Sequence, residues 1–206
     1  MTRALILLIG YLIGGFQTAI LIGRNQGIDI RDHGSGNAGA TNTLRVLGLK
    51  SALIVFVGDM LKAVMAIVIS NFLFKNNSQL SYLLIAIYAG VGAIIGHNWP
   101  VYFHFKGGKG IAVSVATLFM IDYRIGIIAS IIFIICVLLT RYVSLGSILL
   151  TLSAPISLAL LYHGTTHFVE AVGLITVIPL LAIYRHRGNV GRLIGGTESK
   201  LGQKNK

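Results

Sequence analysis

Residues 111–140 read IAVSVATLFMIDYRIGIIASIIFIICVLLT, an apolar stretch interrupted only by Asp122-Tyr-Arg124. A helix needs about 20 apolar residues to cross a bilayer, so about 30 residues are too many for one simple span. The polar interruption therefore predicts two consecutive helices, a short one over 109–121 and a second over 125–140. This division decides whether the chain crosses the membrane an even or an odd number of times.

The composition of the whole chain indicates a membrane protein. Of its 206 residues, 55% are hydrophobic and only 11% are charged, which is too apolar for a soluble domain of this size. Further apolar runs cover residues 4–23, 51–74, 80–96, 145–162 and 167–184. We therefore predict an all-α, polytopic membrane bundle of seven transmembrane helices that forms a single domain over residues 1–206.

The chain is strongly basic, with a formal net charge of +11. In a soluble protein this charge would suggest nucleic acid as a partner. Here the basic residues lie between membrane segments, so membrane topology and an anionic ligand explain them better. We therefore expect no nucleic-acid partner.

The distribution of lysine and arginine predicts the orientation of the chain. With seven spans, 13 of the 17 basic residues fall on one side, in segments 24–50, 97–110, 141–144 and 185–206. Arg3, Lys75 and Arg124 fall on the other side, and Lys62 lies inside a span. Positively charged residues favour the cytoplasmic side, so the N-terminus should lie outside and the C-terminus in the cytoplasm.

Three polar blocks, residues 33–45, 96–110 and 185–192, stand at the ends of apolar runs on this predicted cytoplasmic side. They are rich in Gly, Asn, His, Arg and Lys. Irregular backbone is not exposed to lipid, because its amide groups would go unsatisfied there. The blocks must therefore lie at an interface or line a wet cavity, and we predict that together they form one anion-binding site.

The first block contains Gly34-Ser-Gly-Asn-Ala-Gly39, which has the spacing of a dinucleotide-binding motif but follows a membrane helix rather than a β-strand. We therefore reject the nucleotide interpretation. Closely spaced glycines can still turn several backbone N–H groups toward one anion, and Arg45 can hold a phosphate by two bonds. A solvated loop is the alternative. The candidate binding residues are Gly34, Ser35, Gly36, Asn37, Thr41, Asn42 and Arg45.

The second block ends in Lys106-Gly-Gly-Lys-Gly110, just before a predicted helix. Backbone donors at a helix N-terminus and two ammonium groups together favour an anion. For the lysines, positive-inside topology alone is the alternative. The segment is not a P-loop, because no glycine lies at the required distance before Gly-Lys. The candidate residues are His97, Asn98, Lys106, Gly107, Gly108, Lys109 and Gly110.

In the third block, His186, Asn189 and Arg192 are spaced three residues apart, which places them on one face of a helix. They could point at one ligand, and an amphipathic surface helix is the alternative. Asp59 and Lys62 lie inside the second span, where ionisable groups should pair or face the interior. We interpret them as a structural pair that supports the basic site, with a proton relay as the alternative.

Other chemistries have less support. No pair of the six histidines has metal-ligand spacing supported by Cys or carboxylate, so we expect no metal and no cofactor. Ser35 lacks the nucleophile elbow of serine hydrolases. No histidine is followed four or five positions later by an acid, so the His–Asp pairing of common glycerolipid acyltransferases is absent. A transporter of phosphorylated metabolites would need a site near the bilayer midplane. A lipid-head transferase that uses a nucleotide-activated lipid would need acidic metal ligands.

Taken together, the blocks resemble the bacterial membrane family of acyl-phosphate:glycerol-3-phosphate acyltransferases, over nearly the whole chain. The matching motifs are Gly34-Ser-Gly-Asn-Ala-Gly-Ala-Thr-Asn-Thr-Leu-Arg45, Gly96-His-Asn-Trp-Pro100, Phe105-Lys-Gly-Gly-Lys-Gly110, His186-Arg-Gly-Asn189, Arg192-Leu and Gly196-Thr-Glu198. The resemblance implies acyl transfer from acyl phosphate to the 1-hydroxyl of glycerol 3-phosphate, giving lysophosphatidic acid and phosphate. It also implies a location in the bacterial cytoplasmic membrane, with the active site on the cytoplasmic side.

The implied reaction has two phosphates, and we divide the candidate residues mainly between them. Assigned mainly to the donor phosphate and the oxyanion are Ser35, Asn37, Lys106 and Lys109. Assigned mainly to glycerol 3-phosphate are Arg45, His186 and Asn189. Arg192 is a further candidate cation, and Ser144 resembles a further binding position of the family. His186 is the candidate protein base, but the resemblance favours a donor phosphate oxygen as the proton acceptor. The expected partners are the two substrates and membrane lipids, and we expect a monomer.

Overall fold

The computed structural model describes residues 1–203, which form helices and turns without a β-strand, so the all-α prediction is confirmed for this part of the chain. Residues 204–206, which include two of the basic residues counted above, lie outside the described part. The helices are α1 (Thr2–Gly14), α2 (Thr18–Asn25), α3 (Ala40–Phe74), α4 (Tyr82–Asn98), α5 (Ile111–Ile121), α6 (Tyr123–Thr140), α7 (Val143–Tyr162), α8 (Phe168–Ile175), α9 (Val177–Arg185) and α10 (Arg187–Ile194). Short 3-10 helices cover Ile30–Asp32 and Val101–Phe103.

Within the described residues, six helical segments are long and apolar enough to cross a membrane. They are Thr2–Asn25, Ala40–Phe74, Tyr82–Phe103, Tyr123–Thr140, Val143–Tyr162 and Phe168–Arg185. The predicted division at Asp122 is confirmed, because this residue separates α5 from α6. With 11 residues, α5 covers only about 16 Å, roughly half of the hydrocarbon core. The seventh span therefore stays a prediction.

Two of the predicted spans are broken helices. The run over 4–23 divides between Gly14 and Thr18, and the run over 167–184 divides at Thr176. At the first break, the freed carbonyl oxygen of Phe16 accepts a hydrogen bond from the Lys62 ammonium. At the second break, Pro179 has no N–H to donate to the carbonyl four residues earlier, which weakens the helix there.

The first polar block runs directly into the second span, because α3 begins at Ala40 rather than near residue 51. Gly48, with φ 80 and ψ −178, interrupts the helix between the two parts. A left-handed φ favours glycine. The turn that carries Thr41, Asn42 and Arg45 is therefore oriented separately from the membrane-spanning part of α3.

The most extensive helix contact among the described residues is between α1 and α4, and it depends on four glycines. A Cβ atom at Gly10 or Gly14 would overlap backbone atoms of α4, and one at Gly92 or Gly96 would overlap backbone atoms of α1. Small residues four apart let membrane helices approach backbone to backbone. This contact fixes α4, whose last turn carries His97 and Asn98, in the middle of the bundle.

Candidate active site

The three polar blocks meet at one end of the bundle, around a cavity of about 700 Å³. Its lining includes predicted residues from every block and from the start of α7. These are Gly34, Ser35, Asn37, Thr41, Asn42, Arg45, His97, Lys109, Gly110, Ser144, His186, Asn189 and Arg192. Phe56, Ile111, Phe133 and Val143 add an apolar wall. The cavity therefore combines polar groups with a surface suited to a hydrocarbon chain.

Five predicted residues do not line the cavity: Gly36, Asn98, Lys106, Gly107 and Gly108. Lys106 is exposed, and it follows two residues with left-handed backbone, His104 at φ 55 and Phe105 at φ 59. Lys106 thus stands outside the cavity lining, and its assignment to the donor phosphate stays a prediction.

In the first block, Asn42 holds the loop together. Its Oδ1 accepts from the backbone N–H of Ser35 at 2.8 Å, and its Nδ2 donates to the carbonyl oxygens of Ile30 and His33. Both ends of the buried amide are thereby used within the protein. Asn42 therefore shapes the loop, while Ser35 and Arg45 present their side chains at the cavity wall.

Lys109 connects the second block to the third. Its ammonium group donates to Asn189 Oδ1, a neutral acceptor. Burial lowers the pKa of Lys109 to about 8, and the positive charge of Arg192 adds to this effect while the carboxylate of Glu198 opposes it. A partly buried cation that pairs with no carboxylate within residues 1–203 is well placed to bind an anionic substrate.

His186 is a neutral imidazole with a defined hydrogen position. Its Nδ1 lies 2.8 Å from the carbonyl oxygen of Ala182, which can only accept, so Nδ1 carries the hydrogen and Nε2 is free to accept. Burial, and then the nearby charge of Lys109, lowers the pKa of His186 to about 4. At neutral pH this side chain is an acceptor of hydrogen bonds rather than a cation.

Glu198 joins the third block to the start of α7. Its Oε1 accepts from Ser144 Oγ and from Asn189 Nδ2, each at 2.7 Å, and its Oε2 accepts from Arg192 Nε at 2.8 Å. Burial alone would raise the pKa of Glu198, but these three hydrogen bonds outweigh it and the pKa is lowered. The carboxylate thus fixes three predicted site residues in one arrangement.

Arg185 holds the loop that carries Lys109. Its guanidinium donates to the carbonyl oxygens of Gly107 and Gly108 at 2.7–3.0 Å and lies 5.3 Å from the ring centroid of Trp99. These two carbonyl oxygens would otherwise repel an anion nearby. Arg185 therefore favours anion binding at the loop in two ways: it adds positive charge, and it fixes the conformation of the loop.

Positive charge predominates in the cavity lining. The cations are Arg45, Lys109, Arg185, Arg187 and Arg192, whereas the carboxylates are Asp59, which pairs with Lys62, and Glu198. Within residues 1–203 no three His, Cys, Asp or Glu side chains are grouped to hold a metal ion. The site is therefore suited to ligands that carry several negative charges.

The family to which the chain belongs is decided by comparison with known proteins. The family model described as glycerol-3-phosphate acyltransferase matches residues 4–196. The chain belongs to the glycerol-3-phosphate acyltransferase family. The family places it among the integral membrane acyltransferases of phospholipid biosynthesis.

Relatives in this family match the chain over almost its full length. A glycerol-3-phosphate acyltransferase of Thermoanaerobacter sp. (strain X514) is 43% identical over 205 residues, 99% of this chain and 98% of the relative. One from Shouchella clausii (strain KSM-K16) is 41% identical over 198 residues, 96% of this chain and 95% of the relative.

Two solved structures share the fold of this glycerol-3-phosphate acyltransferase family member. Both are crystal structures of PlsY, an integral membrane glycerol 3-phosphate acyltransferase, at 34% identity over 98% of this chain and 96% of that one. The glycerol 3-phosphate form superposes with a TM-score of 0.85, and the lysophosphatidic acid form with 0.82.

No role was predicted from the sequence for two residues that line the cavity, Arg185 and Glu198. Glu198 belongs to the Gly196-Thr-Glu198 motif. Its position as the single acidic residue in the basic C-terminal segment is the feature of the sequence that could have indicated a role for it. Arg185 opens the third block, but its contacts with Gly107 and Gly108 join positions more than 70 residues apart. No local sequence pattern predicts a contact between such distant positions.

Proposed function

We propose that the cavity transfers a fatty acyl group from acyl phosphate to the sn-1 hydroxyl of glycerol 3-phosphate. The products would be lysophosphatidic acid and inorganic phosphate. The main observation behind the proposal is that one cavity has both an excess of positively charged side chains and an apolar wall. The glycerol 3-phosphate and lysophosphatidic acid forms of PlsY support the acceptor and the product.

The proposed reaction needs no protein nucleophile, because acyl phosphate is already an activated anhydride. The acceptor hydroxyl oxygen attacks the acyl carbon, and the bond from that carbon to the phosphate oxygen breaks. The leaving phosphate takes the electron pair of the broken bond. The developing negative charge on the carbonyl oxygen and on the phosphate is stabilised by fixed cations and N–H donors of the site.

The hydroxyl proton goes to a phosphate oxygen of the donor. A histidine with a pKa of about 4 is a weak base. The donor phosphate gains negative charge as its bond to the acyl carbon breaks, so its oxygens become better proton acceptors during the reaction. His186 Nε2 then accepts a hydrogen bond from a glycerol hydroxyl and so orients the acceptor. Substrate-assisted proton transfer is thus supported by the environment of His186.

The two phosphates are divided across the cavity. Ser35, Asn37 and Lys109 bind the donor phosphate and the oxyanion. Arg45, His186, Asn189, Ser144 and Arg192 bind glycerol 3-phosphate. The hydrogen bond from Lys109 to Asn189 supports this division, because it joins a residue assigned to the donor phosphate to one assigned to glycerol 3-phosphate.

We also propose that α5 is a seventh membrane crossing in a single-domain, monomeric protein. Its first residues, Ile111 and Ala112, line the cavity, so the helix can begin below the membrane surface in a wet site. The N-terminus then lies outside and the cavity opens to the cytoplasm of the bacterial inner membrane, as the positive-inside distribution favours. The cavity lining described above is formed within one chain, which is compatible with a monomer.

The deciding experiment is reconstitution of the purified protein in lipid with acyl phosphate and labelled glycerol 3-phosphate. We expect labelled lysophosphatidic acid, and little product when acyl-CoA or acyl-loaded carrier protein replaces acyl phosphate. Product from acyl-CoA alone would refute the donor assignment. No product with any of the three donors would refute the proposed activity as a whole.

A further inference from the structure

A charged pair is buried inside the bundle, behind the glycine loop formed by residues 105–110. Lys62 and Asp59, both on α3, are 6% and 2% exposed, and Lys62 Nζ lies 3.0 Å from Asp59 Oδ1. Thr18 Oγ1 also donates to this carboxylate, at 3.4 Å. Ionisable groups at such positions in membrane proteins are costly and are kept for function.

Three acceptors surround the ammonium group of Lys62. Besides Asp59 Oδ1, they are the carbonyl oxygen of Phe16 at 2.6 Å and His97 Nδ1 at 2.7 Å. An ammonium group has three N–H donors and no lone pair, so donors and acceptors match. His97 Nδ1 must therefore accept, and the hydrogen of the neutral His97 ring is on Nε2.

His97 in turn forms the surface on which the glycine loop lies. Its carbonyl oxygen accepts from the backbone N–H of Gly108 and from Gln17 Nε2, each at 3.1 Å. A Cβ atom at Gly108 would overlap His97 Nε2, and one at Gly107 would overlap the His97 carbonyl oxygen. The ring and the carbonyl group of His97 thus both set the position of the loop.

The glycine loop is held from the opposite side by Arg185, which binds the carbonyl oxygens of Gly107 and Gly108. The next residue is Lys109, which lines the cavity and contacts Asn189. A shift of His97 would therefore move the loop relative to Arg185 and displace the Lys109 ammonium from the anion site.

We propose that Lys62 is a positioning residue for the anion site and acts through His97. It fixes the His97 ring with its hydrogen on Nε2, and His97 holds the glycine loop and Lys109 at the cavity wall. Asp59 compensates the buried charge of Lys62. This inference rests on the proposed function, because the loop is taken to bind the donor phosphate.

The kinetic test uses the double variant Asp59→Asn/Lys62→Met, which removes both charges at once and leaves no uncompensated ion. Its KM for acyl phosphate should rise by about tenfold or more, the effect of losing one hydrogen bond to a charged group. The KM for glycerol 3-phosphate should change much less, and any fall in kcat should accompany the rise in the KM for acyl phosphate, because Lys109 also stabilises the oxyanion. Ser70→Ala is the control, since Ser70 is buried further along the same helix and its hydroxyl group has no hydrogen-bond partner within the described residues.

A second measurement is made first on the wild-type protein and so does not depend on whether the double variant folds. Nitrogen-15 NMR of histidine-labelled wild-type protein should show a neutral His97 ring with the hydrogen on Nε2, assigned by its loss in His97→Gln. In the folded double variant this signal should shift toward a mixture of tautomers. A charged His97, or one with its hydrogen on Nδ1, in the wild type would overturn the proposal.

The kinetic outcomes separate this inference from the proposed function. An unchanged KM for acyl phosphate in the folded double variant, or a fall in kcat alone, would overturn the positioning role while the activity stands. A wild-type protein inactive with acyl phosphate would instead refute the proposed donor. The NMR measurement would then still decide whether Lys62 fixes His97.

Discussion

The cationic side chains of the cavity differ in whether they are already bound to other groups of the protein. Arg192 is paired with Glu198, and Arg185 is bound to the glycine loop. Lys109 contacts only a neutral amide, and Arg45 has no hydrogen-bond or ion-pair partner within residues 1–203. At the scale of the residue, Arg45 and Lys109 are therefore the cations most available to substrate phosphates.

We expect Arg45→Ala and Lys109→Ala each to lower the rate of acyl transfer by about a hundredfold or more. This corresponds to the loss of about 2.7–4 kcal/mol of transition-state stabilisation from one preorganised donor. The measurement is kcat/KM in reconstituted vesicles. Lys50→Ala, at an exposed lysine outside the cavity, is the control. Near-normal rates in both variants would contradict a shared anion site.

The same assay separates the two lysines of the second block. Lys106 is exposed outside the cavity, so Lys106→Ala should cause a far smaller loss than Lys109→Ala. Equal losses would support the assignment of both lysines to the donor phosphate, as predicted from the sequence.

The pH dependence of the reaction should report the charge of Lys109. Burial lowers its pKa to about 8, so the ammonium form predominates below this pH and is lost above it. We therefore expect kcat/KM to fall as the pH rises through about 8. In Lys109→Arg the guanidinium stays charged, and the fall should disappear from this range. An identical fall in that variant would assign it to another group.

His186→Ala distinguishes the two routes for the hydroxyl proton. If His186 only orients glycerol 3-phosphate, the variant should show a raised KM for this substrate and keep most of its kcat. Loss of kcat by about 10³-fold with an unchanged KM would identify His186 as the general base, since general bases contribute about 10²–10⁴-fold. Initial rates over a range of glycerol 3-phosphate concentrations provide both constants.

At the scale of the element, the packing of α1 on α4 decides where the second block lies. The four glycines let the two backbones touch, and α4 ends in His97 and Asn98. Two further elements are interrupted where the site needs them, at Phe16 and at Gly48. The first break frees a carbonyl oxygen for Lys62, and the second orients the turn that carries Arg45.

Gly92→Ala should destabilise the protein, because the added Cβ atom would overlap the backbone of α1 at Leu7. Overpacking of a tight contact costs about 1–3 kcal/mol, sometimes more. The effect should appear as a lower Tm in detergent. Gly173→Ala makes the same chemical change on α8, where no atom lies within 4 Å, and should leave Tm unchanged or slightly higher. Equal Tm values for the two variants would contradict the close α1–α4 contact.

At the scale of the whole molecule, the proposed crossing of α5 predicts that residues before and after this helix lie on opposite sides of the membrane. His104 and Tyr123 are exposed positions on either side of α5, so each can carry a single cysteine in a Cys136→Ser background. The Tyr123→Cys thiol should react with an impermeant reagent in intact cells, and the His104→Cys thiol only after permeabilisation.

Other labelling patterns would each correct one part of the proposed topology. Labelling of both cysteines from the same side would show that α5 does not cross the membrane. Opposite sides in the reversed order would keep seven spans but invert the orientation that the basic residues predict.

Much of the site was predictable because its chemistry is local in the chain. Irregular glycine-rich backbone and basic side chains are not exposed to lipid, so the three blocks stand out against apolar neighbours. Thirteen of the candidate residues line the cavity. Asp59 and Lys62 were predictable as a pair because they are three residues apart on a helix. The exposure of Lys106 was not predictable, because it depends on the backbone conformation of His104 and Phe105.

The amino-acid sequence alone determines that this is a helical membrane protein, where its apolar runs lie and which end of the bundle is polar. Each of these properties depends on the hydrophobicity of a short stretch of the chain. Such a stretch partitions between lipid and water whatever the rest of the chain does. Only the folded chain decides that Glu198 joins Asn189 to Ser144, or that Lys62 reaches His97. These contacts join segments far apart in sequence, and their distances are set by how closely helices such as α1 and α4 pack.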